Sequence, residues 1–230
     1  IKSLTSTQLN SLSDSQIASI DTADIAGITA NNISQLSTTQ ISRLTNAQVS
    51  ALTNAQFKVL STSQISALSE DQIKGLVSTD IAVMSTAQVR ALGAKQLAQM
   101  SAQQIQALNK PAVASLTTDQ LNALEDAQVK AFSADQIKSL TSTQLNSLSD
   151  TQLASIDTGD IANITANNIA QLSTTQISRL TNAQVTALTN AQVKVLTTSQ
   201  VNALTEDQIK GLERSEEHTS ELQSPMFISY

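Results

Sequence analysis

The sequence predicts an all-α solenoid of very short helices, about two turns each and one per eight residues. Three observations carry that prediction: an unbroken octad register, a helix-start signal in each octad, and the sorting of charges along it. Self-similarity is the first thing to look for, because a fixed period decides the architecture. From Thr5 to Leu212 the chain divides into 26 octads of the form [S/T]-x-x-Q-[I/V/L]-x-x-L, with no insertion or deletion. Gln fills the fourth position in 20 of them, the exceptions being Asp24, Asn32, Asp80, Ala112, Asp160 and Asn168. The fifth position is apolar in every octad from Leu9 to Ile209, and the eighth from Leu12 to Leu212. The first is Ser or Thr in 20; Asp21, Asn109 and Asp157 are chemical equivalents there, while Val77, Gly93 and Glu125 depart from the pattern.

Within the octad the spacing selects a helix that restarts. A β-coil calls for alternating apolar residues and β-branched enrichment, whereas these apolar residues are spaced 3, 5, 3, 5 with Ala, Gln, Ser and Lys as filler. A continuous helix advances about 800° in eight residues, so its apolar pair rotates by about 80° per octad and forms no stripe. Ser or Thr followed three residues later by Gln is instead the capping box, in which the hydroxyl accepts the N3 amide and the Gln side chain returns to the cap amide. Thr45 with Gln48, Thr53 with Gln56, Thr181 with Gln184, and Thr189 with Gln192 are expected to be structural caps of this kind. Leu180 and Val185 then flank the cap as a hydrophobic staple.

Charge placement tests the helix direction independently. All 15 acids of the array fall at the cap or in the first turn, and 10 of its 12 bases fall at the fifth or sixth helical position, Lys95 and Lys110 being the exceptions. A helix macrodipole favours that arrangement. Pro111 lies two residues after its cap residue Asn109, where a missing amide proton breaks no intrahelical bond. Ala51, Gly75 and Ala187 keep the seventh position small enough for close backbone approach. A single octad buries two sizeable side chains, worth ~3 to 6 kcal/mol, against ~1 to 2 kcal/mol per residue of backbone ordering. Folding therefore requires many stacked octads.

Along the chain, residues 1–212 form the repeat array, and residues 137–212 duplicate 1–76 with eleven substitutions, all compatible with the octad. From Arg214 onward the pattern stops. The stretch R-S-E-E-H-T-S-E-L-Q-S, and the closing I-S-Y, resemble a translated sequencing adapter, so 213–230 is expected to be a disordered or artefactual tail and the array a fragment of a longer repetitive protein.

Composition narrows the function classes. There is no Cys, and the one His, His218, lies in that tail, so no nucleophilic catalytic residue, metal site or cofactor-binding site is predicted. The five glycines are scattered singly, which leaves no phosphate-cradling loop. A net charge of −6 and 2% aromatic content argue against a nucleic-acid partner, and no apolar run is long enough to span a membrane. Asp21 with Asp24, and Asp157 with Asp160, place paired carboxylates where a cation could sit, but cap and N3 positions point to capping boxes with Asp substituted. The sequons at Asn32 and Asn163 are expected by chance in so Asn- and Thr-rich a chain.

With the octads in view, residues 1–212 resemble the tandem S/T-x-x-Q-[IV]-x-x-L repeat regions of very large secreted or cell-surface bacterial proteins. That resemblance implies an extracellular or cell-surface, non-enzymatic stalk, spacer or adhesin-like segment. The alternative it leaves open is an interaction module whose partners are other proteins or surface glycans, contacted through the variable second, third and sixth octad positions.

Overall fold

The computed structural model describes residues 1 and 3–212; the expectation for the 213–230 tail falls outside that range. Among the described residues the chain is all-helical. Twenty-five helices run in chain order from α1 (Ser6–Asn10) to α25 (Thr198–Asn202), followed by a helical run over 206–212. Each helix has four to six residues, shorter than the two turns expected. The backbone explains the difference. In α6 (Asn46–Ser50) the seventh residue, Ala51, is still right-handed, while Leu52 closes the helix by an i to i−3 bond, its amide donating to Val49 O at 3.2 Å. The cap Thr45 is extended at φ −68°, ψ 160°. Two residues per octad thus serve the turn, and only the middle of each unit is α-helical.

The caps form as local sequence dictates. Thr45 Oγ1 accepts from Gln48 N at 3.2 Å, and Gln48 Oε1 accepts from Thr45 N at 2.8 Å. Thr53 and Gln56 repeat the pair at 3.3 and 2.7 Å, Thr181 and Gln184 at 3.1 and 2.9 Å, and Thr189 and Gln192 at 3.3 and 2.7 Å. Each exchange satisfies two of the helix's orphan amides. Asp21 and Asp157 behave differently from expectation, because neither makes a side-chain cap bond. The N3 amides of Asp24 and Asp160 donate instead to the cap carbonyls, at 3.0 and 2.9 Å. With a carboxylate at N3 there is no second neutral partner, and a like charge faces the cap.

Two compact units divide the chain, Ile1–Ala131 and Phe132–Tyr230. Within the first, α2 (Asp14–Ala18) packs on α5 (Thr38–Arg43), and α7 (Asn54–Lys58) packs on α10 (Ser78–Ala82), which packs on α13 (Ala102–Ala107). Within the second, α19 (Asp150–Ser155) packs on α22 (Thr174–Arg179), which packs on α25. The step is three helices, while side-chain bonds between turns join residues 25 to 31 apart, as in Ser66 to Ala91 and Gln48 to Ile17. A superhelical turn therefore takes between three and four octads. The fifth and eighth residues line the interior, with Ile33, Ile41, Val49 and Phe57 fully buried. The small seventh position has the predicted role at Gly75, whose absent Cβ would lie 3.1 Å from Ser50 Oγ on the turn below. That hydroxyl donates to the Gly75 carbonyl. Among the described residues no helix is long and apolar enough to cross a membrane.

Candidate functional site

The chemistry of this chain is concentrated in a ladder of buried glutamines. Gln is placed at N3 by the capping box, and N3 faces the turn beneath. Gln48 Nε2 donates to Ile17 O at 2.8 Å and to Ile20 O at 2.7 Å. Gln56 repeats this on Ile25 and Ile28, Gln72 on Ile41 and Leu44, and Gln88 on Phe57 and Leu60. In the second unit Gln184 reaches Leu153 O and Ile156 O at 2.8 and 2.9 Å, and Gln192 reaches Ile161 O and Ile164 O at 2.9 and 2.7 Å. The acceptors are carbonyls at the helix C-terminus that lack an i+4 amide; the fifth-position one also accepts the eighth-position amide, as Ile17 O does from Ile20 N at 3.1 Å. One amide side chain thus caps the start of its own helix with oxygen and the end of another, four octads earlier, with nitrogen. Gln184 is 0% exposed, a burial tolerated because both ends of the amide are bonded.

The capping-box spacing reveals half of this role. The capping box accepts Glu as readily as Gln, yet no octad carries Glu at the fourth position. Glu could return to the cap amide, but as a carboxylate it has no proton to offer the carbonyls below. The use of Gln in 20 octads and of Glu in none was the signal for turn-to-turn contact. Gln8 and Gln16 mark the contrast: both are exposed, and both still complete capping boxes.

Three of the six departures from Gln are compensated. Asn32 Nδ2 donates to Leu4 O at 2.8 Å, and Asn168 Nδ2 to Leu140 O at 2.7 Å. Where Ala112 cannot donate, the cap residue of α14 (Lys110–Ser115) does so, Asn109 Nδ2 reaching Met84 O at 2.9 Å. Octad Val77 to Met84 has no such substitute. Val77 offers no side-chain cap, and Asp80, 0% exposed, has neither carboxylate oxygen hydrogen-bonded. Burial pushes its carboxyl up from 3.8 to about 6, with the Val77 amide pulling the other way. Asp160 is also raised, by burial first and then by the charge of Asp157.

Outside the ladder the polar groups serve local structure. The Asn32 amide is committed to Leu4 O and that of Asn163 to Gly159 O at 3.2 Å. Arg43 Nε pairs with Asp14 across a turn at 3.0 Å, and Arg179 pairs with Asp150 at the duplicated positions. A surface depression between turns is lined by Ser66, Ser69, Glu70, Asp71 and Gln96, drawn from the C-terminal half of one octad and the cap and helix-start positions of others. Among the described residues no group of three or more His, Cys, Asp and Glu is placed to hold a metal ion.

Comparison with known families gives one result. The family described as the ALTTAQ repeat matches residues 17–54, 46–78, 74–110, 153–190 and 186–213. No curated protein matches the chain.

Proposed function

The chain belongs to the ALTTAQ repeat family, and from that premise and the glutamine ladder we propose that it is a non-catalytic structural spacer or stalk segment of a large secreted or cell-surface bacterial protein. The observation that carries the reading is the recurrence of one turn-to-turn bond set, from Gln48 on Ile17 and Ile20 to Gln192 on Ile161 and Ile164. Each added octad supplies the donor for the turn below and the acceptors for the turn above. Copy number can change without a new kind of contact, which suits an element whose work is reach. The duplication of 1–76 as 137–212 is the kind of change such a design tolerates. The test is a series with seven octads inserted or removed, measuring small-angle scattering dimensions and the projection of a fused terminal domain. Dimensions that scale with octad number, with activity of the fused domain unchanged, support a spacer. Loss of a biological function on deletion of one octad, with reach barely altered, overturns it.

A second reading rests on the second and third octad positions, which are exposed in Asn46 and Ala47, Asn54 and Ala55, and Asn182 and Ala183. As an adhesin-like module the protein contacts other proteins or surface glycans through them. Glycan-array binding that is lost when these positions are made uniformly Ala, with the helical spectrum intact, favours that reading over the spacer.

A further inference from the structure

Asp80 sits where every neighbouring step of the ladder has an amide donor. Gln72 donates to Ile41 and Leu44 one octad before it, and Gln88 to Phe57 and Leu60 one octad after it. By the same register Asp80 stands over the carbonyls of Val49 and Leu52. Val49 O accepts the Leu52 amide at 3.2 Å, and among the described residues no side chain donates to either carbonyl. Both Asp80 oxygens are buried without a hydrogen-bond partner. The Val77 amide is a donor that favours the ionised form, but on the side of the turn below the register sets a buried carboxylate against carbonyl oxygens, and a donor for that contact has to come from elsewhere.

A metal ion is a poor occupant. Calcium takes six to eight oxygen ligands and magnesium a near-ideal octahedron, whereas one carboxylate and two carbonyls supply too few. A proton needs only one acceptor on each side. We propose that Asp80 is a proton-binding site within the solenoid: as the neutral acid it donates to the Val49 or Leu52 carbonyl, as the glutamines do elsewhere, and on ionisation that tie between α6 and α10 is lost.

Charged neighbours do not change the sign. The helices α6 and α13 carry no ionisable side chain, α7 carries Lys58, and the flanking helices α9 (Glu70–Lys74) and α11 (Thr86–Ala91) carry Glu70, Asp71, Lys74 and Arg90. All five of these side chains are exposed, and Lys74 is paired with Asp71 at 3.6 Å. Burial is the largest influence on the carboxyl, which keeps its proton to about pH 6 rather than 3.8. The folded chain therefore binds more protons than the unfolded one between those values. The tie is fully present below about pH 4 and is lost as pH rises through about 6, a change of roughly a hundredfold in the local opening equilibrium.

The test is amide hydrogen exchange of the whole chain, corrected for intrinsic rates, between pH 4 and 7.5. Protection of α6 and α10 amides is expected to fall by up to about a hundredfold in the unmodified protein and to stay level in Asp80→Asn and Asp80→Gln, which keep a donor at every pH. Equal falls in all three proteins overturn the proposal. The Asp80 carboxyl carbon signal, followed by NMR in the unmodified chain, should titrate near pH 6; a midpoint in the ordinary aspartate range overturns it even if both variants unfold. Recovery of protection at pH 7.5 on adding calcium or magnesium to the unmodified chain alone overturns it in favour of a metal site.

Discussion

Octads Thr181 to Leu188 and Val77 to Met84 are built on one template and differ in the residues that define it. The first has its complete capping box and a glutamine bonded to the turn below; the second has Val and Asp in those places. Both nevertheless form five-residue helices, α23 (Asn182–Thr186) and α10, after an extended cap residue, and both bury the fifth and eighth side chains. The hydrogen-bonded cap is therefore not what restarts the helix. The apolar pair decides where the chain turns inward, and the N3 amide of α10 finds the Val77 carbonyl at 3.0 Å when no hydroxyl is present. What the departure removes is the bond between turns.

The regular octad loses most when it is made to resemble the other. Gln184→Glu puts an unpaired carboxylate against Leu153 O and Ile156 O and should cost about 3 to 5 kcal/mol at pH 7. Gln16→Glu, at an exposed position, should fall within about 0.5 kcal/mol. Urea unfolding followed by circular dichroism measures both, and similar costs at the two sites would remove the ladder's energetic role. Next in size are the buried apolar residues. Ile81→Ala and Val185→Ala, both fully buried, should each cost about 2 to 4 kcal/mol, and a much smaller cost in either octad would show that the apolar pair does not define it. Smaller again are the caps: Thr181→Ala should lower stability and Val77→Thr should raise it, each by about 1 kcal/mol. Smallest is the half-exposed ion pair. Arg43→Ala should cost at most about 1 kcal/mol and less in high salt, whereas an effect above that in thermal melts would show that the Asp14 pair holds the turn.

Much of this was legible in the sequence because the signals are local. Thr181 and Gln184 find each other across three residues, and acids and bases sort along a helix by its own dipole. Helix length was less legible: the spacing could not show that Leu52 closes its helix with an i to i−3 bond and so takes two residues per octad for the turn. The partners of Gln48 at Ile17 and Ile20 lie 31 and 28 residues away, a separation set by superhelical geometry and not by any neighbouring residue. Capping by Asp21 and Asp157 was expected and did not occur. An Asp cap accepts the N3 backbone amide, and here that amide belongs to another acid and donates to the cap carbonyl instead.

The glutamine amide joins the beginning of one helix to the end of another about a turn away, and this has a mechanical side. A chain pulled from its ends must break one set of amide bonds to release each turn, so length is paid out in parcels of about 28 residues, roughly 90 Å each when fully extended. The step from Asp80 to the turn below is a place where, at neutral pH, such a parcel lacks that amide bond.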